Sequence, residues 1–320
     1  MRNTIAALLG EYGIHDVRGV RATDSEIDRT YLVDTADGVV VLKESPVGST
    51  AALMQSALLA YVAERAPSIP LPRLFINETT GHAITETERG TAFATTFCRG
   101  IPLDETAITA GVVDDIVQIQ VALLTSLYGA DAASLHVPAT NDWSIDAVTN
   151  YVPLIADFAP VAHTDYIHGI IHDFETLVQP ELAAMPSQVI HGDFNLSNLL
   201  VADGAITGVI DFGDAVAAPR IFDVAVTACY LALALGDIDH TLVRRYVEAM
   251  TTRCALTIAE VGALRTLILS RLVIVVLLAR HSARIDPERA DYVLRYDRLA
   301  EDLFDRTNTV AHAAAESHTK

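Results

Sequence analysis

Three oxygen-bearing side chains fall within one short span. Asp193 and Asn198 lie in His191-Gly192-Asp193-Phe194-Asn195-Leu196-Ser197-Asn198, and Asp211 opens Asp211-Phe212-Gly213-Asp214. Strand-like runs at 199–201 and 206–210 flank the turn signal Ala202-Asp203-Gly204, so the chain should fold back and bring the three groups to one point. Hard oxygen ligands from Asn198 and Asp211, with water and phosphate completing an octahedron, are what Mg²⁺ selects. Asp193 then lies near the metal without needing to bind it. Such a trio suits phosphoryl transfer, where catalysis is mainly positioning and charge neutralisation and one carboxylate accepts the proton of an attacking hydroxyl. Asp214 has two readings: it orients metal-bound water or a cationic substrate, or it caps the segment that follows.

A nucleotide also needs a grip. Lys43 ends the run Val39-Val40-Val41-Leu42-Lys43, where a cation on a sheet could hold α- and β-phosphates; as a plain strand charge it would only protect an edge. The loop 23–28 upstream could cover those phosphates, with Ser25 either touching one or serving as an ordinary turn residue. It contains no glycine, so backbone contacts to phosphate are less assured there.

The elements that must carry these groups fall into two kinds. A short helical pattern at 3–12 precedes strand-like runs at 15–23, 29–35 and 39–43, the last two joined by Ala36-Asp37-Gly38. A helix from Ser49 or Thr50 to Arg65 follows, then strand-like pieces at 74–76, 83–86 and 92–97. From Asp104 the pattern is helical: 105–128, 145–159, 165–184 and four segments between 221 and 306, broken only by 188–214. The reading is α+β in two lobes: a small antiparallel-sheet lobe over 1–98 that binds nucleotide, and a mostly helical catalytic and substrate-binding lobe over 99–320. The tail after Asn308 should fray. His191 should pin the loop as a buried imidazole, and Asp223 should cap or buttress the helix it opens.

Composition narrows the partners. The 320 residues are 51% hydrophobic and 20% charged, ample for a core. Lys and Arg number 22 against 41 Asp and Glu, a net charge of −19, and no basic stripe appears. Nucleic acid and anionic membranes are therefore disfavoured. Cys98, Cys229 and Cys254 are odd in number and lack metal-ligand spacing, which fits a reducing cytoplasm rather than a disulfide framework. The most apolar runs, 224–235 and 272–278, flanked by Asp223 and Arg271, are shorter than the ~20 residues of a membrane span. No secretory leader is read at the N-terminus.

Together the two lobes, Lys43, the HGD-x4-N pattern from His191 to Asn198 and Ile210-Asp211-Phe212-Gly213-Asp214 resemble the aminoglycoside phosphotransferase and choline kinase superfamily, which shares the protein-kinase-like fold. The segment from Ser25 to Tyr31, and Gly208 to Asp214 followed by Pro219-Arg220, are most similar to hydroxylysine kinase-like members. The resemblance implies that Asp193 is the catalytic base, that Asn198 and Asp211 hold Mg²⁺, and that Lys43 meets the phosphates of ATP or GTP. The hinge would be 95–100, with Thr96, Phe97 and Cys98 against the purine. That family often pairs its strand lysine with a helix glutamate, and the matching position here is Gln55. Gln55 shares a helical face with Leu58, Leu59 and Val62, so it should point inward and can accept a hydrogen bond from Lys43, but it supplies no opposite charge, which predicts a weaker clamp or a compensating carboxylate elsewhere.

The expected activity is transfer of a γ-phosphoryl group to the hydroxyl of a small, cationic molecule, an amino alcohol such as hydroxylysine. The alternatives are an aminoglycoside antibiotic as acceptor, or a nucleotide-binding regulator without turnover. No activation-loop-like stretch or Ala-Pro-Glu follows Asp211, which disfavours a protein acceptor. A homodimer is compatible with all of these.

Overall fold

Alternation along Val39-Val40-Val41-Leu42-Lys43 sorts that strand into two faces. The computed structural model describes residues 2–23 and 28–318, with side chains over 2–23, 28–291 and 293–309. Val40 and Leu42 join Tyr31, Val33, Ala92 and Ala94 in an apolar cluster with Ile5 and Leu9 of α1 (Arg2–Gly10). Val41 and Lys43 face the other way, into a cleft. The sheet is five-stranded and antiparallel, formed by β1 (Gly19–Thr23), β2 (Arg29–Asp34), β3 (Val39–Pro46), β4 (Ile84–Thr87) and β5 (Gly90–Thr96) in the order β1-β2-β3-β5-β4. Helix α2 (Ala51–Arg65) connects β3 to β4 and buries Met54, Gln55, Leu58, Leu59 and Val62.

Beyond β6 (Ile101–Pro102) the chain is mostly helical: α3 (Ala110–Leu127), α4 (Ile155–Phe158) and α5 (Thr164–Asp173), then α6 (Ile221–Leu235), α7 (Thr241–Arg253), α8 (Ile258–Ile285), α9 (Ala290–Val293) and α10 (Asp297–His318). Between α5 and α6 lie β7 (Ser187–Ile190), β8 (Leu199–Ala202), β9 (Ala205–Val209) and β10 (Val216–Pro219). The expected two-lobe α+β architecture is present.

Several boundaries differ from the sequence reading. The strand expected at 15–23 starts only at Gly19, because Asp16 has φ +56°, outside extended geometry. The piece at 74–76 makes a single bridge, Leu74 to Thr95. The helix expected at 105–128 starts at Ala110, where the Thr109 side chain caps it by accepting the Val112 N–H at 3.3 Å. The helix expected at 145–159 is a 3₁₀ stretch over Ile145–Leu154 containing Pro153, with only Ile155–Phe158 in α geometry. That at 165–184 ends as α-helix at Asp173, passes through a π turn and closes as 3₁₀ around Pro180. The tail continues α10 to His318.

The run at 272–278 lies within the longer α8, and α3 is a second long apolar helix. By length and composition alone Ala110–Leu127 and Ile258–Ile285 could each cross a membrane; 44% and 72% of their apolar windows are buried inside the protein, the larger share in α8, as in a core helix.

Candidate active site

The residues of the 191–198 loop are fixed at both ends by strand pairing. Antiparallel β7 and β10 put Ile190 opposite Val216, so the loop leaves one strand beside the turn that enters the other. The β8–β9 hairpin sets Leu199 against Val209, and the Ile210 N–H donates to the Asn198 carbonyl at 3.0 Å. Gly192 makes the crossing possible. It has φ +79°, and a Cβ there would stand 2.0 Å from the Asp214 carbonyl oxygen.

Buried side chains hold the loop from below. Asp223, fully buried at the start of α6, accepts the N–H groups of His191 at 2.9 Å and Gly192 at 2.8 Å. Burial pushes its carboxyl up, with those donors and His191 working the other way. The His191 ring is buried, meets the Ile210 carbonyl at 3.1 Å and accepts from the Asp193 N–H at 3.3 Å. Both residues do the structural work read for them. Thr227 adds a bond to the Phe194 carbonyl at 2.7 Å.

Asp193 sits above this floor with 18% of its side chain exposed. Its Oδ2 accepts the amides of Asn195 at 2.8 Å and Asn198 at 2.9 Å, and its Oδ1 accepts Arg271 Nη2 at 2.7 Å. Asn195 also organises the bend, accepting from the Ser197 N–H at 2.8 Å and the Asn198 N–H at 3.2 Å. Because the Asn198 Nδ2 is given to Asp193, its amide oxygen points away from that carboxylate. Asp211 occupies the left-handed region, φ +64° and ψ +70°, and keeps 53% of its side chain open to the cleft. Asp193, Asn198 and Asp211 thus line one cavity, as their spacing suggested.

Lys43 reaches this group from the sheet, donating to Asp211 Oδ1 and to Gln55 Oε1 at 2.9 Å each. Gln55 in turn donates to Asp28 Oδ2 at 2.7 Å, and Ser45 donates to Asp28 Oδ1 at 2.7 Å. Charge opposite Lys43 therefore comes directly from Asp211 and, one amide away through the neutral Gln55, from Asp28. Burial alone would lower the Lys43 pKa, but Asp211, and behind it Asp28 and Asp214, outweigh burial and hold it above the ordinary lysine value. Lys43 likewise depresses the Asp211 carboxyl, against its desolvation.

Two cavities meet here. One, of about 480 Å³, lies under the sheet and is lined by Leu32, Val41, Lys43, Thr96, Phe97 and Cys98 among others. The other, of about 130 Å³, is lined by Asp28, Trp143, Asp193, Asp214, Tyr230 and Arg271 among others. Gln55, Ser197, Asn198, Asp211 and Arg295 face both. The Thr96 N–H already donates to the Arg73 carbonyl at 2.8 Å, which leaves the hinge backbone contact expected there to the residues after it. Ser25 lies outside the described residues. The Asp214 carbonyl oxygen accepts the Asn141 amide at 2.7 Å. Arg271 was not foreseen, although a lone arginine inside an apolar helical run is a signal in itself.

A family model described as the phosphotransferase enzyme family matches residues 19–256. The chain belongs to that family. Among curated relatives it is 28% identical to hydroxylysine kinase of Danio rerio over 155 residues, 45% of this chain and 42% of that protein. It is 31% identical to hydroxylysine kinase of Xenopus laevis over 139 residues, 40% of this chain and 37% of that one. The match thus spans about two fifths of those relatives. Among solved structures, an aminoglycoside phosphotransferase in complex with GDP superposes with a TM-score of 0.66 at 16% identity, over 95% of this chain and 98% of that one. Amicoumacin kinase in complex with AMP-PNP and Ca²⁺ gives 0.65 at 12% identity, over 96% and 97%. At such identities the shared property is the protein-kinase-like fold.

Proposed function

We propose that this protein is a cytoplasmic small-molecule kinase that moves the γ-phosphoryl group of ATP or GTP to the hydroxyl of an amino alcohol of the hydroxylysine kind. The observation that carries this is the junction of the two cavities, with Lys43 on one side, Asp193 on the other, and Asn198 and Asp211 on the wall between them. The larger cavity takes the nucleotide, with its phosphates at Lys43 and its base toward Phe97 and Cys98. The smaller takes the acceptor.

The donor set fits Mg²⁺. Asn198 offers an amide oxygen whose orientation is fixed by its Nδ2 bond to Asp193, and Asp211 offers a carboxylate kept ionised by Lys43. When bound, the cation neutralises charge on the phosphates. Asp193 aligns the acceptor hydroxyl and takes its proton as the oxygen bonds to Pγ; the bridging oxygen leaves with the nucleoside diphosphate. The named relatives favour hydroxylysine, and a cavity lined by carboxylates and by Arg295 suits an acceptor with both ammonium and carboxylate groups.

Nucleoside-diphosphate release from Mg²⁺·ATP and Mg²⁺·GTP, with hydroxylysine, homoserine, choline, ethanolamine and aminoglycosides as acceptors, tests this. Release should depend on an amino-alcohol acceptor and fall by at least 10²-fold in Asp193→Asn while nucleotide still binds. Turnover unchanged in that variant would remove Asp193 as the base, and a response to aminoglycosides alone would replace the acceptor.

A further inference from the structure

Helix α8 is apolar around its middle, Leu267-Ile268-Leu269-Ser270-Arg271-Leu272-Val273-Ile274, and an arginine there is costly unless it is paired. Arg271 is 1% exposed. Nη2 donates to Asp193 Oδ1 at 2.7 Å and Nη1 to the Trp143 carbonyl oxygen, while the rings of Trp143 and Tyr230 stand 5.2 and 5.8 Å from its guanidinium carbon. Among the described residues its buried Nε has no hydrogen-bond partner.

The two oxygens of Asp193 are not equivalent. Oδ2 already accepts two amides, from Asn195 and Asn198, which fills its two lone-pair directions. Among the described residues Oδ1 accepts only from Arg271, which leaves one direction open on a residue that lines the acceptor cavity. We propose that Arg271 is a positioning residue: it anchors Asp193 so that Oδ1, and not Oδ2, receives the acceptor hydroxyl. The inference rests on the kinase reading above and adds which atom acts and what holds it. The O–H proton passes to Oδ1 as the O–Pγ bond forms and the bond from Pγ to its bridging oxygen breaks, the electron pair leaving with the nucleoside diphosphate. The proton returns to solvent after product departs. Arg271 itself exchanges no proton.

The test compares Arg271→Met, Arg271→Lys and Arg271→Ala with Asp193→Asn and with the Asp193→Asn/Arg271→Met double variant, each rate expressed per nucleotide-binding site. In Arg271→Met, kcat should fall on the order of 100-fold with both KM values within about 3-fold, as a misplaced reacting group produces. A lysine cannot span Asp193 and the Trp143 carbonyl, so Arg271→Lys should recover little. Guanidinium ion added to Arg271→Ala should restore part of the lost kcat, ammonium should not, and the double variant should be no slower than Asp193→Asn. Arg271→Met with kcat within 3-fold of the parent overturns the proposal. So does loss of nucleotide binding and turnover together in all three arginine variants, which would make Arg271 a residue of the fold alone. If Asp193→Asn itself keeps turnover, the kinase-base reading fails first, a result distinct from either.

Discussion

The Lys43 clamp shows how one residue's chemistry depends on its neighbour's charge. Gln55 bridges Lys43 and Asp28 by an amide that accepts from one and donates to the other. A glutamate in its place could accept from Lys43 but would set two carboxylates about 2.7 Å apart at Asp28. Gln55→Glu should therefore raise the nucleotide KM on the order of 10-fold, although the substitution restores the pairing common in the family. Asp28→Asn added to it should recover most of the loss, and a double-mutant cycle on kcat/KM reads the coupling directly. The inward direction of Gln55 was legible in the sequence, because its spacing from Leu58, Leu59 and Val62 places all four on one helical face. Asp28 as part of the missing charge was not legible: the contact joins a loop to a helix across a strand, and no periodicity encodes it. Arg271 was visible only as a charge beside an apolar run, since the pattern shows that a partner is needed and not which one.

Helix α8 owes its start to a reciprocal cap. The Thr257 hydroxyl accepts the Glu260 N–H at 3.2 Å, and the Glu260 carboxylate accepts the Thr257 N–H at 2.7 Å. The same carboxylate, fully buried, takes Arg220 Nε and Nη2 at 2.8 and 3.0 Å, tying α8 to the segment after β10. Burial works against its charge, but Arg220 and the Thr257 N–H outweigh burial and hold its carboxyl below the ordinary glutamate value of 4.5. A carboxyl depressed by folding adds stability that is complete above that ordinary value and drains away as pH falls through the lower, folded one. Glu260→Gln should cost about 2 kcal/mol at neutral pH and flatten the acid limb of thermal stability below pH ~4.5, measured by melting from pH 3 to 7. Elements with sustained periodicity, α2, α6 and α8, were readable. The stretch 145–159 was not, because its apolar spacing is helical while Pro153 and tertiary packing draw most of it into 3₁₀ geometry.

Across the whole molecule, the charge of −19 and the pI near 4.8 set its colloidal behaviour. Self-repulsion vanishes as pH approaches 4.8, above the range in which Glu260 loses its charge, so light scattering should rise most steeply there and added salt should have least effect on it. At pH 7 the same charge predicts no retention on immobilised DNA at 50 mM salt, and retention there would reveal a basic face not described above. The proposed chemistry, by contrast, depends on a few cations held against that field, Lys43 and Arg271 foremost. Five side chains, Gln55, Ser197, Asn198, Asp211 and Arg295, form a party wall between the two cavities. A ligand settling on one side re-sorts hydrogen bonds that the other side also feels. Whatever free energy the nucleotide thereby lends to acceptor binding, the acceptor must return in equal measure to the nucleotide.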